Sequence, residues 1–308
     1  MIRIIGDVLI DEYWYGTTNR ISPEAPIPIV NVKKKFLRLG GAGNVYQNVK
    51  VMFPRCQIWG YIDNKFGYLF EDETERNAVW LTTDKMPHKL RVFSDDHMMA
   101  RIDDEVVIPE TKLEDEFRCD KERDIVILSD YSKGTIKDPQ NIITKCPNVI
   151  CDPKKSLDCY KGAFILKPNK KEFDDYVGRS TTPKELLSEG RRIRELLNIE
   201  HLIVTLGSEG VLYVGDEIQH YPATAQEVYD VTGAGDTFTA VLAICIALKL
   251  KVHQAVRVAN IMSGHAVSTK GTYILNAELF DEELRRLANV DSSDGLEGIY
   301  WEEIDPDN

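Results

Sequence analysis

Short apolar runs recur along this chain, many of them followed by an amphipathic stretch. Strand-like runs occur at 3–6, 56–61, 124–128, 148–151, 163–166 and 201–206. Helical patterns lie at 41–52, 136–146 and 183–197, and three more follow at about 234–249, 252–268 and 278–289. Alternation of this kind predicts an α/β fold with a mostly parallel sheet covered by helices. Two segments break the alternation. Residues 12–38 are rich in Tyr, Pro, Ile and Val, and residues 88–104 contain Lys89-Leu90-Arg91-Val92-Phe93 and Met98-Met99-Ala100-Arg101-Ile102. Both read as strands with no helix between them. The stretch after Asn289 is acidic and contains Gly, Ser and Asp, which reads as weakly ordered or packed on the surface.

Composition narrows the class. A chain of 308 residues suffices for one large α/β domain with a small appendage. Its 38 basic and 50 acidic residues give a net charge of −12, which argues against nucleic acid or an anionic membrane as a general partner. A phosphorylated ligand needs only a local basic cluster. The longest apolar stretch, near 238–250, is too short to span a bilayer. The start, Met1-Ile2-Arg3-Ile4-Ile5-Gly6-Asp7, meets charge too soon for a signal peptide. Cysteines 56, 119, 146, 151, 159 and 245 lack paired Cys-x-x-Cys spacing, so we expect reduced, packing cysteines in a cytoplasmic protein and no zinc site.

The densest chemistry lies at Asp230-Val231-Thr232-Gly233-Ala234-Gly235-Asp236, just before an apolar helix. Gly233, Ala234 and Gly235 can bring bare N–H groups against an anion at the helix start. A carboxylate at that mouth is electrostatically awkward unless it has a task. The natural one is to take a proton from a hydroxyl attacking a phosphoryl group, so Asp236 is the candidate base. The plainer reading is a glycine turn with an Asp cap. At the other end of the chain, Asp7 and Asp11 follow the first strand, and Gly40-Gly41-Ala42-Gly43-Asn44 forms a glycine-rich loop. A polyol is recognised by carboxylates and amides that pair with neighbouring hydroxyls. Asp7, Asp11 and Asn44, with close backbone approach at Gly40 and Gly41, suit that task. The loop lacks the third glycine and the ribose acid of a dinucleotide site.

These motifs together resemble the ribokinase-like (PfkB) sugar kinases over roughly residues 2–285. The segments from Gly6 to Gly16, Arg20 to Pro28, Leu128-Ser129-Asp130-Tyr131-Ser132-Lys133-Gly134 and Ala225 to Thr232 resemble the heptose 7-phosphate kinase branch, whose kinase domain is often fused to a nucleotidyltransferase. The resemblance implies a three-layer, Rossmann-like core over 1–290 with a small β lid from 12–38 and 88–104. An acidic tail at 291–308 and no nucleotidyltransferase domain complete the expected organisation. It implies ATP and Mg2+, with possible K+, as cofactors, and a homodimer formed through the lid. On the nucleotide side it implies Lys154 near the phosphate path and Asn169 and Glu172 as an Asn-x-x-Glu motif reaching magnesium through water. Thr205, Gly207 and Gly210 would lie against the ATP phosphates and ribose, and Asn260 beside adenine. Asp230 and Thr232, completed by carbonyls at Val267 and Gly271, match a monovalent cation site.

A heptose 7-phosphate also needs a cationic pocket remote from Asp236. Arg91, Arg101 and Lys133 are the candidates, with Lys89 and Arg20 behind them; an Arg fork suits a phosphate dianion. The chain departs from the family pattern in places. Only 21 residues separate Gly67 from Lys89, so an edge element looks shortened, and Gly43 and Tyr46 stand where small apolar residues are usual. The expected activity is phosphorylation of O1 of the heptose 7-phosphate. Another sugar or sugar phosphate, or a non-catalytic sugar- or nucleotide-binding relative, are the alternatives.

Overall fold

The computed structural model describes residues 1–70, 78–108, 113–225, 227–269, 271 and 273–291. The acidic tail expected at 291–308 therefore lies outside the described residues beyond Asp291.

The chain begins with β1 (Ile2–Gly6) and runs straight into two long strands, β2 (Val8–Ile21) and β3 (Pro28–Gly41). Helix α1 (Ala42–Met52) returns to the body, followed by β4 (Gln57–Asp63) and β5 (Ala78–Thr83). The hairpin β6 (His88–Ser94) and β7 (His97–Asp104) then leaves the body again. Next come α2 (Leu113–Glu116), β8 (Ile125–Ser129), α3 (Gln140–Ile143), β9 (Val149–Asp152) and β10 (Ile165–Leu166). They are followed by α4 (Lys170–Val177), α5 (Pro183–Leu196), β11 (His201–Thr205), β12 (Val211–Val214) and β13 (Ile218–Tyr221). Three helices end the described chain: α6 (Ala234–Ala247), α7 (Val252–Val267) and α8 (Ala277–Asp291).

Among the described residues the body sheet has nine strands in the order β13-β12-β11-β10-β9-β8-β1-β4-β5. From β11 to β5 every pairing is parallel, and β12 and β13 add an antiparallel edge. Both faces are buried, so the strands read as continuous apolar runs. Successive residues serve opposite faces. Ile125 and Ile127 of β8 pack into one core with Val45, Phe238, Val256 and Phe280, whereas Val126 and Leu128 pack into a second core with Phe173, Leu186 and Ile193. The result is the expected three layers.

The lid is a separate four-stranded sheet in the order β3-β2-β6-β7. Its strands β2 and β6 run parallel, and the other two pairings are antiparallel. The lid strands begin at Val8 and end at Gly41, earlier and later than the 12–38 expected from composition, so both glycines of the Gly40-Gly41 pair sit at a strand end. The segment between Gly67 and Lys89 retains the edge strand β5.

Two expectations are corrected. The helical pattern at 136–146 condenses to the single turn of α3, since Pro139 lacks an N–H and biases the residue before it away from helix. The cysteines are not all reduced: Cys119 and Cys146 form a disulfide with Cα atoms 6.2 Å apart, and Cys56, Cys151, Cys159 and Cys245 remain thiols. The fold brings the segments after α2 and α3 together, a juxtaposition that sequence spacing does not encode.

Candidate active site

The parallel strands present their carboxyl ends on one side, where open α/β sheets bind ligands. Asp7 follows β1, Asp130 and Tyr131 follow β8, Asp152 ends β9 and Lys167 follows β10. Helix α6 starts opposite them. Gly233 caps it at φ 78°, in the left-handed region that glycine occupies without a Cβ penalty. The positive end of the α6 dipole therefore lies on the side of the strand ends, with the Ala234 N–H donating to the Val231 carbonyl at 3.3 Å.

Asp236 lies in the first turn of α6 and is 3% exposed. Its Oδ1 accepts from the Tyr131 hydroxyl at 2.7 Å and its Oδ2 from Asn44 Nδ2 at 3.0 Å. Burial pushes its carboxyl up to about 7 against the restraint of those two bonds, with Asp152 and Asp11 adding to the rise. Asn44 is itself fixed, since Asn48 Nδ2 donates to its Oδ1 at 3.0 Å and its carbonyl at 2.9 Å. Beside the turn, Lys167 Nζ lies 3.0 Å from Asp152 Oδ1 and is 3% exposed. Asp152 Oδ2 also accepts from Thr239 Oγ1 at 3.1 Å, and a Cβ built on Gly235 would sit 3.9 Å from Lys167 Nζ. A buried cation thus stands next to the glycines that sequence motifs assign to an anion.

Sequence reasoning did not single out Tyr131 or Asp152 as site groups, and it read Lys167 only as an added charge near the ATP region. The available signal was positional. Three successive core strands end on an acid, an acid-tyrosine pair or a lysine at the same edge.

The lid brings Asp11 to Arg91. Arg91 Nη1 lies 2.5 Å from Asp11 Oδ1, and each residue is 5% exposed. Gly40 is required here, since a Cβ on it would collide with the Asp11 carboxylate. Gly41 adopts φ 57° and would collide with Leu9 if it carried a side chain. The other basic candidates have acid partners: Arg101 forks onto Asp103 at 2.7 and 2.8 Å, and Lys133 meets Glu105 at 3.0 Å. Lys89 Nζ stands 5.9 Å from the centre of the Tyr131 ring. Arg20 lies exposed at the tip of β2, beyond its last pairing with β6 at Gly16, and the structure does not bring it to the site.

Several expected ligands are engaged structurally. Asp7 does not offer a free carboxylate to a sugar: it is 1% exposed and accepts from the backbone N–H groups of Tyr131, Lys133 and Thr135 at 2.8, 3.0 and 2.9 Å. Asn169 and Glu172 form a capping box on α4, and Glu172 Oε1 also meets Lys154 Nζ at 3.1 Å. Thr205 bridges to Asn169, and Gly207 and Gly210 turn the next segment at φ 62° and 92°. Asn260 Nδ2 donates to the Pro222 carbonyl at 2.8 Å. Of the cation set, Asp230 and Gly271 line one cavity of about 120 Å³, with Tyr15, Phe93, Asp96 and Tyr229. The Asp230 carboxylate accepts from Thr232 N at 2.9 Å. The Val267 carbonyl accepts from the N–H groups of Tyr229 and Asp230 at 2.8 and 3.2 Å, which ties it to the Asp230 segment.

Comparison with known proteins decides the family. Residues 139–278 match the model of the pfkB family carbohydrate kinases. Bifunctional protein HldE of Hahella chejuensis is 36% identical over 321 residues, covering 98% of this chain and 66% of that protein. Bifunctional protein HldE of Haemophilus influenzae (strain PittEE) is 35% identical over 288 residues, covering 88% of this chain and 60% of that protein. The chain belongs to the pfkB family. It spans a little under two thirds of the length of these relatives. The fold agrees. Ribokinase from Thermotoga maritima superposes with a TM-score of 0.73 at 19% identity, covering 92% of this chain and 99% of that one. Phosphofructokinase-2 from Escherichia coli, in complex with potassium, gives 0.74 at 16% identity, covering 94% and 99%. At such identities the likeness speaks for the fold alone, a ribokinase-like α/β core with a lid. Among the described residues no helix is long and apolar enough to cross a membrane.

Proposed function

We propose that this chain is an ATP-dependent sugar kinase that transfers the γ-phosphoryl group to O1 of D-glycero-β-D-manno-heptose 7-phosphate, giving the 1,7-bisphosphate and ADP. The observation that carries the kinase reading is Asp236, a buried carboxyl in the first turn of α6 that is pushed up to about 7 by burial. A base of that strength accepts a proton from a sugar hydroxyl at neutral pH. As the proton passes to Asp236, O1 attacks the γ-phosphorus in line and the bond to the ADP oxygen breaks. The N–H groups at Gly233, Ala234 and Gly235, with Lys167 beside them, face the charge that develops. The choice of heptose 7-phosphate rests on the motifs at Gly6–Gly16, Leu128–Gly134 and Ala225–Thr232 and on the similarity to the HldE proteins.

Magnesium supplies charge neutralisation on the phosphates when bound. Glu172, already paired with Lys154 and its own cap, suits contact through water better than direct ligation. For a monovalent cation, the Asp230 carboxylate and the Gly271 backbone line the shared cavity, and Thr232 and the Val267 carbonyl, both bonded to Asp230, complete the set. In this reading Asp11 with Arg91 recognises sugar hydroxyls, and Arg101, Lys133 and Lys89 take the 7-phosphate. A homodimer through the lid belongs to the same reading, supported by exposed Met98, Met99 and Ile102 on β7.

The test is magnesium-dependent ADP release from ATP with a panel of sugars and sugar phosphates. Turnover confined to heptose 7-phosphate supports the full proposal. Turnover on a neutral sugar keeps the kinase and discards the phosphate pocket. Release with none of them leaves a binding protein of the same family.

A further inference from the structure

Tyr131 belongs to the strand-end motif Ser129-Asp130-Tyr131-Ser132-Lys133-Gly134, in which only Lys133 has so far been given a task. The tyrosine is closer to the chemistry. Its hydroxyl donates to Asp236 Oδ1 at 2.7 Å, opposite the Asn44 bond to Oδ2. One donor on each oxygen fixes the plane of the carboxylate and leaves each oxygen with capacity for a further bond. The ring packs toward the Gly40-Gly41 turn, where a Cβ on Gly41 would stand 3.3 Å from Tyr131 Cε2. The backbone is fixed too. Asp7, at the end of β1, receives the N–H groups of residues 131, 133 and 135, and Ser132 and Gly134 turn the loop at φ 55° and 103°.

We propose that Tyr131 is a positioning residue for the base: its hydroxyl holds Asp236 toward the sugar hydroxyl, and Asp7 holds Tyr131 through the backbone of the 131–135 loop. The role rests on the kinase reading above. It also gives buried Asp7 a task that a sugar ligand would not explain.

The groups around Asp236 define the expected signature. Asn44 of α1 is neutral. Asp11 of β2 is paired with Arg91 of β6, and Asp152 of β9 is paired with Lys167. Burial raises Asp236 most, and the Tyr131 bond opposes that rise. Removing the hydroxyl therefore moves its titration upward, by about one pH unit for a hydrogen bond to a charged group.

The test is Tyr131→Phe, which keeps the ring. The acid limb of its kcat/KM profile should move up by about one pH unit, with about a tenfold loss near pH 6 and a loss under about threefold near pH 9. Carbon-13 NMR of the Asp236 carboxyl, assigned with Asp236→Asn, should show the same shift without any turnover. That readout separates failure of this inference from failure of the kinase reading. In the wild-type protein the Tyr131 ring carbon bearing oxygen should titrate with the Asp236 midpoint, a measurement that survives a variant that does not fold. A pH-independent loss with an unmoved Asp236 midpoint would make Tyr131 merely structural and overturn the proposal. A rise in sugar-independent ATP hydrolysis would overturn it as well, since Tyr131 would then be a plug over the base.

Discussion

The floor of the site and its lid are built on opposite plans. On the floor, Asp236, Asn44, Tyr131, Asp152 and Lys167 come from five separate elements, and Asp236, Lys167 and Asn44 are each at most 3% exposed. In the lid, Arg101, Asp103 and Glu105 lie close together in sequence, and Arg101 has a side-chain exposure of 48%. The buried Asp11–Arg91 pair is the point where the two plans meet. A floor whose groups are locked by neighbours suits chemistry, where misplacement of about 1 Å is costly. A lid in which Arg101 already has an acid partner suits exchange, since an incoming phosphate can replace a carboxylate.

The largest effect should come from the floor. Asp236→Asn keeps the size of the side chain and removes the proposed base, so turnover should fall by about 10²–10⁴ with ATP affinity largely retained. Stopped-turnover ADP assays beside nucleotide binding by calorimetry check this. Near-normal turnover would move the base elsewhere.

The junction of floor and lid comes next. Arg91→Met leaves the Asp11 carboxylate buried without its partner, which should cost about 3–5 kcal/mol of stability. Thermal melting reads the loss, and the double variant with Asp11→Asn should recover much of it. Full stability in the single variant would mean that solvent reaches Asp11 and that the lid opens freely.

These two predictions also mark what the sequence could convey. That Asp236, its glycine turn and the Asn44 loop would meet was legible because each is a local pattern with a chemical reason. The three-layer core was legible from the alternation of runs such as Ile125–Leu128. Partnerships were not. Nothing at Arg91 states that its guanidinium meets Asp11 across a parallel β2–β6 pair, or at Asp7 that its carboxylate gathers a loop 124 residues away. The Asn-x-x-Glu pattern reads equally as a phosphate motif and a capping box, and the structure shows the box. The Cys119–Cys146 pair was missed for the same reason, since distance in sequence carries no register.

The raised Asp236 carboxyl predicts a pH dependence of stability for the floor that the lid should not share. Its folded value of about 7 exceeds the ordinary carboxylate value of 3.8, so the folded state binds more protons than the unfolded state between them. Stability from this group is therefore greatest in acid and falls as pH rises from about 4 to about 7. The whole separation corresponds to at most about 4 kcal/mol. Denaturant titrations of the wild type and Asp236→Asn across that range should differ by a slope that the variant lacks. Parallel curves would show that Asp236 titrates as an ordinary carboxylate.

The smallest effect on stability, and the sharpest on recognition, belongs to Arg101. Its fork onto Asp103 is exposed, and the hydrogen bond from Arg101 holds Asp103 below the usual carboxylate range. An exposed pair of this kind contributes about 0–1 kcal/mol, so Arg101→Ala should leave the melting temperature nearly unchanged. The same geometry that binds a carboxylate in two bonds binds a phosphate in two bonds. Arg101→Ala should therefore raise KM for the sugar phosphate by about tenfold, leave kcat unchanged, and leave KM for the dephosphorylated sugar where it was. Asp103→Asn should lower KM, since it removes the competitor. An unmoved KM in both variants would transfer the phosphate to Lys89 and Lys133, at the mouth between lid and floor, and the lid's outer strand would then serve closure alone.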